Sequence, residues 1–148
     1  MGHGAMQILE YPKRLLSIAE TVNRWAGALA ALDRTRRAKV ARYADSIAET
    51  LGRAAQFSSR LTAAPGDKAA QRGVVRELGR ITGYLETLVG VLQHHLDGRK
   101  LAGVKRRLEQ LGPRRTIGGC EMQAARLRVD RLLAAEGYFR ALADSLRV

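Results

Sequence analysis

Residues 8–32, "ILEYPKRLLSIAETVNRWAGALAAL", decide the fold. Ile8, Leu15, Val22 and Leu29 recur every seven residues, and Tyr11, Ile18, Trp25 and Leu32 form a second line three residues further on. On a helix of 3.6 residues per turn both lines fall on one side, so the spacing predicts a long helix with one apolar seam. Pro12 has no amide hydrogen to donate, so the regular helix is expected to start near Tyr11 or Pro12, with the preceding residues extended or loosely helical.

The same periodicity continues. Asp33 or Thr35 can cap a second helix that turns Val40, Ala44, Ile47, Leu51, Ala54 and Leu61 inward and ends at "APGD", residues 64–67. A third helix is expected over residues 68–96, with Val75, Leu78, Ile81, Leu85, Leu88, Val89 and Leu92 inside and a break at Asp97 and Gly98. "RKLAGVKRRLEQLG", residues 99–112, reads as a shorter helix with Leu101, Val104, Leu108 and Leu111 on its apolar stripe, stopped by Gly112 and Pro113. The last helix is expected from Thr116 or Gly118 onward, burying Met122, Ala125, Val129, Leu132, Phe139, Leu142 and Leu146. Each segment is too amphipathic to stand alone and the connections are short. The expected fold is therefore all-α, an antiparallel up-and-down helical bundle of four long helices plus one short helix.

The chain has 148 residues, enough for one domain with a hydrophobic core. The expected organisation is a single bundle over residues 8–148, the amino-terminal module of a longer protein, after a flexible start or expression scar over residues 1–7. Cys120 is the only cysteine, which rules out an intramolecular disulfide and a multi-cysteine zinc site; a structural thiol in a reducing cytoplasm is expected. No run of about 18 apolar residues marks an ordinary transmembrane span, and "MGHGAM" lacks the charged and apolar regions of a signal peptide.

Residues suited to catalysis are poorly arranged. His94 and His95 are adjacent, so on a helix they point about 100° apart and do not form a metal-binding pair; no arginine stands four to seven places before either, as a helical-bundle ribonuclease would need. Carboxylates mostly neighbour basic residues, as Asp33 does Arg34 and Asp130 does Arg131, and are expected to be solvated. Ser58 and Ser59 have no histidine nearby in sequence, and no phosphate-binding glycine loop occurs. The chain is expected to be no enzyme and to hold no cofactor or metal. Gly79 and Gly83 form a GxxxG pair, expected to allow close helix packing inside the bundle.

Charge is the stronger signal. Lys plus Arg number 26 against 14 acidic residues, for a net charge of +12. Twelve cations fall in "RTRRAKVAR" (34–42), "RKLAGVKRR" (99–107) and "RR" (114–115). The candidate headgroup contacts are Arg34, Arg36, Arg37, Lys39, Arg99, Lys100, Lys105, Arg106, Arg107, Arg114 and Arg115. At an anionic membrane each nearby cation contributes about 1 kcal/mol before screening; the plainer alternative is that the clusters keep an alanine-rich bundle soluble. Nucleic acid is the weaker match. Base stacking needs exposed aromatics, whereas Tyr11, Trp25, Tyr43, Phe57, Tyr84, Tyr138 and Phe139 sit largely at core spacing.

Two stretches, "RRAKVARYADSIAETL" (36–51) and "EGYFRALADSLRV" (136–148), resemble an amino-terminal helical module of bacterial multidomain proteins that stands ahead of caspase-like, TIR or nucleotide-binding signalling domains. Such modules are grouped with the Bell, HeLo and mixed-lineage-kinase-like four-helix bundles of regulated cell death. The resemblance implies a bacterial cell-death or antiphage effector that is cytoplasmic, is recruited to the inner face of the plasma membrane on activation, and acts through basic helix ends and self-association. In membrane-active relatives the first helix takes part in permeabilisation. Here Glu10, Lys13, Arg14, Glu20 and Arg24 make that helix a packed amphipath more than a span. The alternatives are an adaptor that recruits a like helical bundle on another protein and a basic nucleic-acid-binding domain.

Overall fold

A computed structural model describes residues 3–92, 102, 106 and 129–147, residues 3–13 by their backbone alone. The described elements are α1 (His3–Arg24), α2 (Ala26–Ala30), α3 (Arg34–Ala63), α4 (Lys68–Leu92) and α5 (Val129–Leu146), and no strand occurs among these residues. The fold is an all-α helical bundle.

The longest helix, α3, packs against both α4 and α5. The α3–α4 turn is made by the "APGD" stretch. Asp67 accepts the amide of Ala70 at 3.0 Å and so caps α4, as Asp33 caps α3 by accepting the amide of Arg36 at 2.9 Å. Cross-helix contacts then run in antiparallel order: Arg53 meets Glu77, Phe57 meets Gly73 and Arg60 meets Asp67. On α5 the order is antiparallel too, since Asp45 pairs with Arg147 while the Glu136 carboxylate lies beside Gly52. Both α1 and α2 pack against α5.

Val40, Ala44, Ile47, Leu51, Ala54 and Leu61 of α3 are all buried, as are Leu78, Ile81, Leu85, Leu88, Val89 and Leu92 of α4 and Leu132, Phe139, Leu142 and Leu146 of α5. Val75 and Val129 are only partly buried, and Val74 takes the inner place beside Val75. In the first segment Leu15, Ile18, Val22, Trp25 and Leu29 are buried and Leu32 packs at the margin.

Three local expectations are corrected. Helix α1 begins at His3 and runs through Pro12 instead of starting there. The proline, tenth residue of α1, removes one amide hydrogen bond from the helix interior, and the helix continues on both sides of it. The single helix expected to reach Leu32 divides at Trp25, whose amide bonds the Val22 carbonyl three residues back at 3.0 Å. That tightened turn starts α2 and still leaves Trp25 only 5% exposed, so the seam survives the break. Gly79 and Gly83 are exposed, with nothing within 4 Å of where a Cβ would stand. The close helix contact goes to Gly73 instead.

The expected end of the third helix (93–96), the break at Asp97 and Gly98, and His94 and His95 lie outside the described residues. So do the stripe of Leu101, Val104, Leu108 and Leu111, the stop at Gly112 and Pro113, Cys120, and the early part of the last helix with Met122 and Ala125. Within that part of the chain Ala102 and Arg106 are described, and both are helical and exposed.

The two kinds of glycine should respond oppositely to alanine. At Gly73 an added Cβ would stand 2.7 Å from the Cγ, Cδ1 and Cε1 atoms of the Phe57 ring, so Gly73→Ala should destabilise by about 1–3 kcal/mol through overpacking despite the better helix propensity. Gly83→Ala, in open space, should stabilise by up to about 1 kcal/mol. Urea melts of the two variants, followed by helical circular dichroism, check both signs.

Candidate functional site

Arg34, Arg36, Arg37 and Lys39 come together on the first two turns of α3, and Arg42 extends the group by another turn. Arg34, Arg36, Lys39 and Arg42 are exposed. Arg37 is turned inward: it is half-buried, and its Nε is enclosed without a hydrogen bond. Arg36 folds back onto the cap, its guanidinium 3.1 Å from Asp33. No acidic residue stands in the first turn of α3, so Arg34 and Arg36 meet the positive end of the helix dipole, with the Asp33 cap as counter-charge to Arg36. Arg106 is exposed; Arg99, Lys100, Lys105, Arg107, Arg114 and Arg115 lie outside the described residues.

A second basic group was not evident as a run in the sequence. Glu77 of α4 is 1% exposed, yet it carries a carboxylate between the helices. The Nε of Arg53 on α3 donates to its Oε1 at 2.6 Å, the Nε of Arg76 donates to its Oε2 at 3.2 Å, and Arg80 lies 3.8 Å away. Arg53 also donates to the Thr50 hydroxyl at 3.1 Å. One turn along, Arg60 and Arg76 lie 5.5 and 5.9 Å from the centroid of the Phe57 ring, within cation–π range. Arg60 reaches Asp67 at 3.4 Å. Four guanidinium groups from two helices thus converge on one carboxylate and one ring.

Its signal in the sequence is helical spacing: Arg76 and Arg80 are four apart, with Arg72 four before them, and Arg53 and Arg60 are seven apart. Only folding places the two sets side by side. Glu77 departs from the expectation of solvated carboxylates because three arginines supply what water would otherwise provide. Burial pushes its carboxyl pKa up, but hydrogen bonds from Arg53 and Arg76 and the charges of Arg53 and Arg80 outweigh that, leaving it below the ordinary glutamate value of 4.5. At the turn, the Ala70 amide, with Arg60 adding to it, holds the Asp67 carboxyl below its usual value against partial burial.

The aromatic residues divide as well. Trp25 and Phe139 are buried, Tyr43, Phe57 and Tyr84 are partly buried, and Tyr138 is exposed. Among the described residues no group of three or more His, Cys, Asp or Glu side chains stands ready for a metal ion, and no helix is long and apolar enough to cross a membrane. What the described surface offers chemically is guanidinium and ammonium groups for anions.

Because the folded pKa of Glu77 is depressed, its contribution to stability is present above about pH 4.5 and is lost as the pH falls through the folded value. Glu77→Gln should cost about 1–3 kcal/mol at pH 7, less than a fully buried ion pair because the arginines keep solvent contact. It should also flatten the acid limb of stability against pH. Urea midpoints of both proteins between pH 2 and 7 test this; equal acid slopes would remove Glu77 from the account.

No family model matches the chain, and neither a curated protein nor a solved structure matches it.

Proposed function

We propose that this bundle is a non-enzymatic module that binds an anionic membrane surface through the basic amino-terminal end of α3. The observation that carries this is the position of Arg34, Arg36, Lys39 and Arg42: exposed and grouped in the first three turns of α3, with Arg34 and Arg36 in the first turn, where the dipole disfavours cations. Their placement fits a surface that takes up phosphate oxygens, where each cation contributes about 1 kcal/mol before screening. A bundle with no helix fit to cross a bilayer among its described residues suits peripheral attachment. The resemblance of residues 36–51 and 136–148 to cell-death bundles extends the proposal to a bacterial cell-death or antiphage effector, recruited to the inner face of the plasma membrane and acting with other copies of itself.

The test is cosedimentation of the whole chain with phosphatidylglycerol and phosphatidylcholine vesicles, with dye release read in the same samples. Selective pelleting with the anionic vesicles is expected. Arg34→Gln, Arg36→Gln, Lys39→Gln and Arg42→Gln together should weaken it at least ten-fold. Only Arg34 and Arg36 stand within reach of the dipole, and Arg36 also pairs with Asp33, so the quadruple variant should stay within about 1 kcal/mol of the parent in stability. Binding that survives the four changes, or pelleting with both lipids alike, would overturn the assignment.

A further inference from the structure

We propose that the guanidinium cluster on the α3–α4 hairpin, Arg53, Arg60, Arg76 and Arg80 around Glu77 and Phe57, is a preorganised site for a phosphate monoester dianion. It is separate from the amino-terminal cations of α3 and does not rest on their binding a membrane. The charge count points to a dianion. Four guanidinium groups face Glu77 and Asp67 as their counter-charges, leaving a surplus of two positive charges.

Geometry supplies the rest. Arg76 uses its Nε on the buried carboxylate and remains 64% exposed, so its terminal nitrogens are left for a ligand. Arg53 engages Nε with Glu77 and one terminal nitrogen with Thr50, which fixes the plane of its fork while two-fifths of the side chain stays exposed. The Phe57 ring supports Arg60 and Arg76 from one place. Long basic side chains ordinarily lose rotamer freedom when they close on a ligand; here Glu77, Thr50 and Phe57 have already taken most of it, so less is lost on binding. Arginine is also the residue suited to the task. Its planar fork matches two oxygens of a tetrahedral phosphate, whereas an ammonium offers only a point charge. A dianion would balance the surplus of cations over carboxylates in the cluster, so binding should stabilise the fold.

Methyl phosphate, a monoester and mainly a dianion at neutral pH, is the probe for the whole chain, with sodium chloride at matched ionic strength as the control. Isothermal titration should show saturable binding, and the melting temperature should rise with methyl phosphate and not with chloride. Arg60→Gln with Arg76→Gln, which keeps the Arg53–Glu77 contact, should weaken binding at least ten-fold with helical content unchanged. Arg60→Lys with Arg76→Lys keeps the charge without the fork and should also weaken binding, by a smaller factor.

The quadruple α3 variant should bind methyl phosphate like the parent, so failure here and failure of the membrane proposal are distinguishable. Vesicles containing phosphatidic acid, compared with phosphatidylglycerol at equal charge, separate the sources: competition with methyl phosphate by phosphatidic acid alone identifies a headgroup monoester, and no competition identifies a soluble monoester. Either result supports the site. A melting shift matched by chloride, or unaltered affinity in the Arg60→Gln, Arg76→Gln protein, would overturn it.

Discussion

One helix has to bury two flanks at once, and the rest of the bundle follows from how α3 does it. Its inner arc is rich in alanine: Ala41, Ala44, Ala48, Ala54 and Ala55 are buried beside Val40, Ile47 and Leu51. Small side chains let α4 and α5 approach closely on either side, and the large side chains then come from the partners, among them Leu78, Ile81 and Leu85 on α4 and Phe139 and Leu142 on α5. Alanine is also the best helix former, so local preference and packing agree along α3. The agreement has a consequence for chemistry. A helix buried on two sides keeps one outward strip, and Lys39, Arg42, Arg53 and Arg60 use that strip for cations.

The contact of α3 with α4 is less ordinary, because it contains a carboxylate. Glu77 replaces what could have been an apolar position, and its ion pairs contribute little beyond offsetting the desolvation they impose. Its effect is on alignment. One partner, Arg53, comes from α3, so sliding α4 by one turn would break the Arg53–Glu77 contact while Arg76 and Arg80 moved with the carboxylate, and the Phe57 ring seated on Gly73 resists the same slide by shape. Ring and carboxylate thus fix one register from adjacent turns.

Most of the fold was legible in the sequence because it is written in periodicity. The seven-residue lines from Leu15 to Leu29 and from Val40 to Leu61 name the buried residues correctly, and the "APGD" turn sets the α3–α4 hairpin. What was not legible needed a second helix to be seen. Nothing along the chain marks Gly73, rather than Gly79 or Gly83, as the point of close approach, since that depends on where Phe57 falls across the interface. Likewise a search for runs of cations finds residues 34–42 at once and passes over Arg53, Arg60, Arg76 and Arg80, which are scattered in sequence and adjacent in space. The break at Trp25 was hidden for the opposite reason. The apolar lines continue through it, so periodicity records which side faces inward and not the tightening of one turn.

The two basic groups hold surplus charge by opposite physical means, and that difference bears on what each can do. At the amino-terminal end of α3 the helix dipole works against Arg34 and Arg36, and solvent contact makes these cations and the exposed Lys39 and Arg42 tolerable, with Asp33 holding only Arg36. On the hairpin a buried carboxylate draws Arg53, Arg76 and Arg80 together, and an aromatic ring holds Arg60 beside them, so these groups have fixed places before any ligand arrives. Salt should screen the first group readily, because its contacts are long-range and exposed. It should affect the second less, because short hydrogen bonds to a desolvated carboxylate set its geometry whatever the ionic strength. A solvated cluster is suited to attraction and a preorganised one to selection, so on the proposal made above discrimination between anions would fall to the α3–α4 hairpin.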